Sequence, residues 1–180
     1  MKQALKDEEI LSAIRHNPEN GFRILMKDRW KNVYWHIRRL VMHHADAQDA
    51  TQETFIRIFR SLDKFKGDST LKVWIYRIAT NEALRMIGKR RDDVISIDDE
   101  ESAEVQMIAD EEYVNYSDVE AVKLQNAILS LPTKQQLTFN MRYYDELEYD
   151  EIARIIGSTP SSVKASYHIA KEKIIKYMNL

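Results

Sequence analysis

The 180-residue chain contains no cysteine and has only four glycines and three prolines. Without thiols there is no disulfide framework and no thiolate metal site, and nothing in the composition argues for export to an oxidising compartment. So few turn-formers cannot serve a many-stranded β fold, whereas Leu, Ile, Lys, Arg, Glu and Ala dominate, which is the profile of an all-α protein. No stretch approaches the roughly 18 apolar residues a membrane span needs, and Met1 to Ile10 carries lysines and acids where a signal peptide would have an apolar core. The expectation is a soluble, untargeted, cytoplasmic chain. Also missing are a phosphate-cradling glycine loop, a nucleophile motif and a metal-spaced His/Asp/Glu set. His43-His44 beside Asp46 reads as a helix end, so neither catalysis, a metal nor a cofactor is expected.

The formal charge of −2 conceals a strong asymmetry. Residues 1–91 hold 19 Lys+Arg against 11 Asp+Glu, residues 92–120 hold none against 12, and residues 121–180 hold 8 against 6. Two segments totalling +10 are thus joined by an acidic strip of −12, and opposite charges kept in separate segments are a mark of nucleic-acid binders. Residues 92–116 show no 3.6-residue apolar repeat, and repulsion among their carboxylates opposes compaction, so they read as a largely disordered linker. The chain divides accordingly into a domain at 1–91, the linker at 92–116 and a domain at 117–180.

In the first domain the spacing predicts a short helix around Ile10, Leu11 and Ile14. A long one follows with Phe22, Leu25, Met26, Trp30, Val33, Ile37, Leu40 and Val41 on its apolar face. A third is expected over about Ala47 to Leu62, burying Ala47, Ala50, Thr54, Ile58 and Leu62. A fourth starts behind Asp68, Ser69 or Thr70 as N-cap and buries Leu71, Trp74, Ile75 and Ile78. The intervening Asp63–Asp68 is too short to bury itself and must be exposed. In the second domain Ser117–Glu120 has the form of a capping box, opening a helix to about Ser130. Pro132 suits the first turn of another, which runs to about Tyr144.

Next comes Tyr149–Ile156, with Tyr149, Ile152, Ala153 and Ile156 on one face, stopped by Gly157, which suits a left-handed C′ position. Ser158-Thr159-Pro160 then leads into a last helix with Val163, Tyr167, Ala170, Ile174 and Tyr177 as its buried stripe. Two helices joined so tightly form a helix-turn-helix. The second would expose Ser161, Ser162, Lys164, Ala165, His168 and Lys171. Hydroxyls and free amides at its start suit phosphates, while Lys164 and His168 can reach base edges. Helical corners of this kind also occur in purely structural proteins. A second unexplained face lies on the third helix, where Asp49, Gln52, Glu53 and Ile56 form an acidic stripe inside a basic domain. It reads either as a solvated face complementing the helix dipole or as a dock for a basic partner.

Three ordered motifs then carry a family resemblance. Asp46-Ala-Gln-Asp49-Ala-Thr-Gln52-Glu53-Thr-Phe55, Phe65-Lys66-Gly67-Asp68-Ser69 and Trp74-Ile75-Tyr76-Arg77-Ile78-Ala79-Thr80-Asn81 resemble region 2 of bacterial RNA polymerase sigma factors of the extracytoplasmic-function (ECF) type. Leu131-Pro132, Tyr149-Asp150-Glu151-Ile152-Ala153 and Gly157 with the following helix resemble region 4. The resemblance covers about 22–91 and 119–177, with the acidic linker in the family's place. It implies a two-domain sigma factor that binds core RNA polymerase, directs it to promoters and helps open the DNA.

The resemblance also implies roles for residues. Asp46, Asp49, Gln52, Glu53 and Ile56 would dock on the polymerase clamp. Lys64, Phe65, Lys66 and Gly67, with the start of the next helix, would hold a base flipped from the minus-10 element. Lys72, Tyr76, Arg77, Asn81, Arg85, Lys89, Arg90 and Arg91 would line the path of the opened strand. Of the two aromatics, Trp74 is expected in the core and Tyr76 the more exposed. The recognition helix would read the minus-35 element through Ser161, Ser162, Lys164, Ala165, His168 and Lys171. It departs from the commoner pattern, having Ser161, Ser166 and Ile169 where a Gly-Thr pair and further arginines are usual. Fewer bidentate guanine contacts point to readout through A·T pairs, methyl groups and groove shape. An anti-sigma protein restraining the free factor is a further expected partner. The alternatives are a conventional helix-turn-helix regulator, which would normally dimerise although no dimer helix is evident, and a sigma-like module that titrates another protein.

Overall fold

The structure, a computed structural model, describes residues 6–95 and 118–180, with side chains as far as residue 89 in the first stretch. The strip at 92–116 expected to be disordered lies almost wholly outside the described residues. Every described element is helical, and the elements gather into two compact units, each with its own core.

The first unit, residues 1–41 and 45–92, takes in α1 (Asp7–His16), α2 (Pro18–Val41), α3 (His44–Ser61) from its second residue, a single 3-10 turn (Leu62–Lys64) and α4 (Leu71–Ile95) as far as residue 92, while Met42–His44 cluster with the second unit. Asn17 separates α1 from α2 and caps the second, its side-chain oxygen accepting the amide of Asn20 at 3.0 Å. Pro18 then fills the first helical position, where its missing N–H is no loss. The apolar periodicity is realised with Ile10, Leu25, Val33, Ile37, Ala47, Ala50, Ile58, Leu71 and Ile75 buried. Aromatic rings bind α2 to α3: Trp30 stacks on Phe55 at 5.2 Å, and Phe22 meets Phe59 at 4.9 Å. The third helix stops at Ser61, whose hydroxyl turns back onto the Arg57 carbonyl, so Leu62 falls in the 3-10 turn and is only half-buried. Ile78 is half-buried as well. Of the three candidates for the cap of α4, Thr70 is the one whose hydroxyl accepts the Val73 amide, at 3.2 Å.

The second unit contains α5 (Val119–Leu129), α6 (Thr133–Tyr143), α7 (Tyr149–Ile156) and α8 (Pro160–Met178). Asp118 caps α5, accepting the amides of Glu120 and Ala121 at 3.1 Å each. The expected Ser117 box is thereby shifted one residue, and Ser117 itself lies outside the described residues. Pro132 stands at the N-cap of α6. Ala127, Ile128, Leu131, Phe139, Ala170 and Ile174 form the core, with Tyr167 and Tyr177 packed on its edge.

The turn from α6 to α7 passes through Glu146 at a left-handed φ of 53°. It is fixed by Arg142, which donates to the Leu147 carbonyl at 2.9 Å and to Glu148 at 3.0 Å. The Glu148 carboxylate pushes the Arg142 guanidinium above its ordinary pKa. Helix α7 buries Ile152, Ala153 and Ile155, with Ile156 half-buried. The face is therefore rotated slightly from the one expected.

Candidate nucleic-acid interface

Gly157 sits at φ 65°, ψ 49°, the left-handed cap that ends α7. An L side chain is disfavoured there. Two residues later Thr159 caps α8, its hydroxyl accepting the Ser162 amide at 3.3 Å, and Pro160 occupies the first turn. The helix-turn-helix is thus closed by a glycine, a threonine and a proline within four residues. On α8, Ser161, Lys164, Ala165, His168 and Lys171 are exposed, opposite the buried Val163, Ala170 and Ile174.

Ser162 departs from the reading of this face. It is half-buried, its amide is held by Thr159, and its hydroxyl accepts from Lys134 at 3.3 Å. The amide expected to be free for phosphate is already used by the local cap. Lys134, on the first turn of α6, is in turn a basic residue that sequence reasoning missed. Only the fold brings it to the start of α8 from 28 residues away. Beside it, Ser161 and Lys164 share an open hollow of about 320 Å³ with Glu148, Tyr149, Asp150 and Pro160.

In the first unit, Arg77, Asn81, Arg85 and Lys89 are all exposed on α4. Their spacing of four residues makes a nearly continuous stripe along the helix. Arg85 is fixed within it by Glu82, which accepts its Nε at 2.9 Å and its Nη2 at 2.7 Å and raises the guanidinium pKa above the ordinary value. Glu82 is only 3% exposed, and its other oxygen meets Arg57 of α3 at 2.6 Å. The side chains of Arg90 and Arg91 lie outside those described.

Ahead of α4, Lys64, Lys66 and Gly67 are exposed and Phe65 is half-buried. Gly67 takes φ 77°, and the Phe65 ring packs on Trp74 at 5.2 Å. Trp74 is a core residue as expected. Tyr76 is not the exposed aromatic: it is 6% accessible, with its ring edge-on to His36 at 4.9 Å. The reason is that α2 covers this flank of α4, which the pattern of α4 by itself does not record. Tyr76 therefore leaves the set of strand-contacting residues. Lys72 is half-buried.

On α3, Asp49, Gln52 and Ile56 are exposed. Glu53 is half-buried by its pair with Arg57 at 3.1 Å, and Asp46 is half-buried in the first turn. Phe59, 50% exposed beside Ile56 at 42%, adds apolar surface that the acidic stripe did not announce. Among the described residues no group of three or more His, Asp or Glu could hold a metal ion, and no helix is long and apolar enough to cross a membrane.

A helix-turn-helix in one unit, with an exposed basic stripe on α4 and an acidic face on α3 in the other, has the features of a helical DNA-binding protein. Comparison with known proteins gives that class its family. The sigma-70 region 2 family model matches residues 27–92, and the sigma-70 region 4 model matches residues 121–174. The ECF RNA polymerase sigma-E factors of Salmonella typhimurium and Escherichia coli are each 29% identical over alignments covering 97% of this chain and 95% of theirs. The RNA polymerase sigma-H factor of Pseudomonas aeruginosa is 28% identical, covering 95% of this chain and 93% of its own.

Two solved structures share the fold. CnrH, in complex with the cytosolic domain of CnrY, superposes with a TM-score of 0.72 at 16% identity, covering 96% of this chain and 97% of that one. The sigma factor RpoE of Bartonella quintana, in complex with the anti-sigma factor NepR, gives 0.67 at 19% identity, covering 88% and 97%. The chain belongs to the sigma-70 family of RNA polymerase sigma factors, in its ECF type. It is a promoter-directing factor for RNA polymerase, built from a region 2 and a region 4 domain joined by an acidic linker.

Proposed function

We propose that the two activities of this sigma factor divide between its faces as follows. In a domain at 1–91, the α3 face of Asp46, Asp49, Gln52, Glu53 and Ile56, extended by Phe59, binds core polymerase. The loop of Lys64, Phe65, Lys66 and Gly67 receives a base extruded from the minus-10 element. The basic stripe of Arg77, Asn81, Arg85 and Lys89, with Lys72, Arg90 and Arg91, follows the backbone of the opened strand. Past a linker at 92–116, a domain at 117–180 reads the minus-35 element with Ser161, Lys164, Ala165, His168 and Lys171, and Lys134 and Ser162 shape the start of that helix. With one lysine and one histidine as the forward polar readers, the upstream element is read through A·T pairs, methyl groups and groove shape more than through guanines.

The observation that carries this reading is the α4 stripe: four exposed polar or cationic residues at a spacing of four, leading away from an exposed Lys-Gly loop. A factor of this kind lends specificity and strand contacts while the polymerase supplies the chemistry, so the protein is no enzyme and works in the cytoplasm. Two basic DNA-reading units in one free chain call for restraint. An anti-sigma protein is the proposed agent, consistent with the anti-sigma complex in which the Bartonella quintana factor was solved.

Run-off transcription from a genomic promoter library, with core enzyme in the presence and absence of this protein, tests the whole reading. A defined set of new start sites sharing two upstream elements is expected. Transcription unchanged by the protein would overturn it.

A further inference from the structure

The region 2 match begins at residue 27, downstream of α1. The structure nonetheless builds α1 firmly into the first unit. Ile10 is fully buried. At Gly21 the α2 backbone lies so close to the Ile14 backbone that a Cβ would be closer than real Cβ atoms come, an approach that requires glycine. Asp7, the first residue of α1, divides its carboxylate between two other helices. Its Oδ1 accepts from the Arg29 guanidinium at 3.0 Å, and its Oδ2 accepts the backbone N–H of Lys72 at 3.1 Å.

The bond to Lys72 is a helix cap supplied from a distant part of the chain. Amides in the first turn of a helix have no partner within it. In α4, Thr70 satisfies that of Val73 and Asp7 satisfies that of Lys72. A carboxylate at this end also complements the helix dipole. Arg29 holds the carboxylate in place, and it too is mostly buried, with its side chain 13% exposed. Immediately ahead of this turn lies the Phe65–Gly67 loop, fastened to α4 by the packing of Phe65 on Trp74.

We propose that Asp7 is a positioning residue for minus-10 recognition: α1 pins the first turn of α4 and with it the loop that receives the extruded base. The inference rests on the assignment of that loop made above. Asp7 contacts no DNA in this account and acts through the Lys72 amide.

Full-length Asp7→Ala and Asp7→Asn proteins, reconstituted with core enzyme on a promoter recovered from the run-off screen, test it. Three quantities are read. They are the affinity for core, the rate of opening from permanganate reactivity of minus-10 thymines, and holoenzyme binding to a single-stranded oligonucleotide carrying the non-template minus-10 sequence. Asp7→Ala is expected to slow opening and weaken oligonucleotide binding about fivefold, the scale of a lost capping acceptor, with core affinity unchanged. Asp7→Asn, whose amide oxygen still accepts the Lys72 N–H, is expected to recover most of the loss. A general loosening of the unit would weaken core binding together with opening, because α3 belongs to the same unit. That result, or opening at the wild-type rate in Asp7→Ala, overturns the inference. If the unsubstituted protein supports no transcription, the assignment of the loop falls and the inference with it, a result distinct from the failure of Asp7 alone.

Discussion

Arg77 and Arg85 stand two turns apart on one exposed stripe, yet they present their charge differently. Arg85 is held by the buried Glu82, which also receives Arg57 from α3. Its guanidinium is thus aimed in advance, with part of its charge already answered. No acid is paired with Arg77 in this way among the ion pairs described, and Arg77 is the cleaner probe of strand contact. Arg77→Ala is expected to weaken holoenzyme binding to single-stranded DNA about equally for all sequences. It should also lower the slope of log affinity against log salt by about 0.7, the value for one phosphate contact on a single strand. A salt titration followed by anisotropy reads this. Lys164 is proposed to meet base edges, so the expectation differs: Lys164→Ala should reduce protection of the minus-35 element about tenfold and relax preference at one or two base pairs. Footprinting over a set of single-base variants separates the two behaviours, and unaffected protection would mean that the reading face of α8 is turned from the one assigned.

At the scale of elements, α3 carries the clearest contrast between its two sides. Its inner side is built from Ala47, Ala50, Thr54, Phe55 and Ile58, all buried, while Asp49 and Gln52 face outward. Replacing both Asp49 and Glu53 by Lys should abolish pull-down of core polymerase while leaving the helical content by circular dichroism unchanged. The Glu53–Arg57 pair lost in the process is partly exposed and contributes about 1 kcal/mol or less.

How far such elements can be read from residues follows from the range of the forces involved. Apolar periodicity and local caps act within a few residues, so α7, Gly157 and the buried stripe of α8 are legible from the chain alone, as is the acidic side of α3. Thr70 is one of three neighbouring candidates until its bond to Val73 is seen. What the pattern does not contain is which helix covers a given flank. Tyr76 sits at a position that could face water, and the covering by α2 decides otherwise. Lys134 on Ser162 and Asp7 on Lys72 join residues 28 and 65 apart, and no periodicity marks either. The site is legible as a set of faces, while the residues that hold those faces in place come only from tertiary contact.

The described residues form two compact units with different central residues: Ile37, Ile58 and Ile75 lie in one, Phe139, Ala170 and Ile174 in the other. The net charge of −2 is accordingly a poor guide to behaviour, since residues 1–91 and 121–180 are each net basic and the excess of acid lies in the sequence between them. A consequence lies in competition. A fragment ending at residue 95 would keep α1 to α4, and with them the proposed polymerase face, yet would have no means of addressing an upstream element. Added in excess to a reaction containing the intact protein and limiting core, it is expected to act as a decoy, lowering transcription in proportion to the core it occupies. The same fragment carrying Lys at positions 49 and 53 should be inert. On the proposed division of labour, this regulator is vulnerable to half of itself, and a truncated product that keeps the α3 face would behave as a poison for the whole.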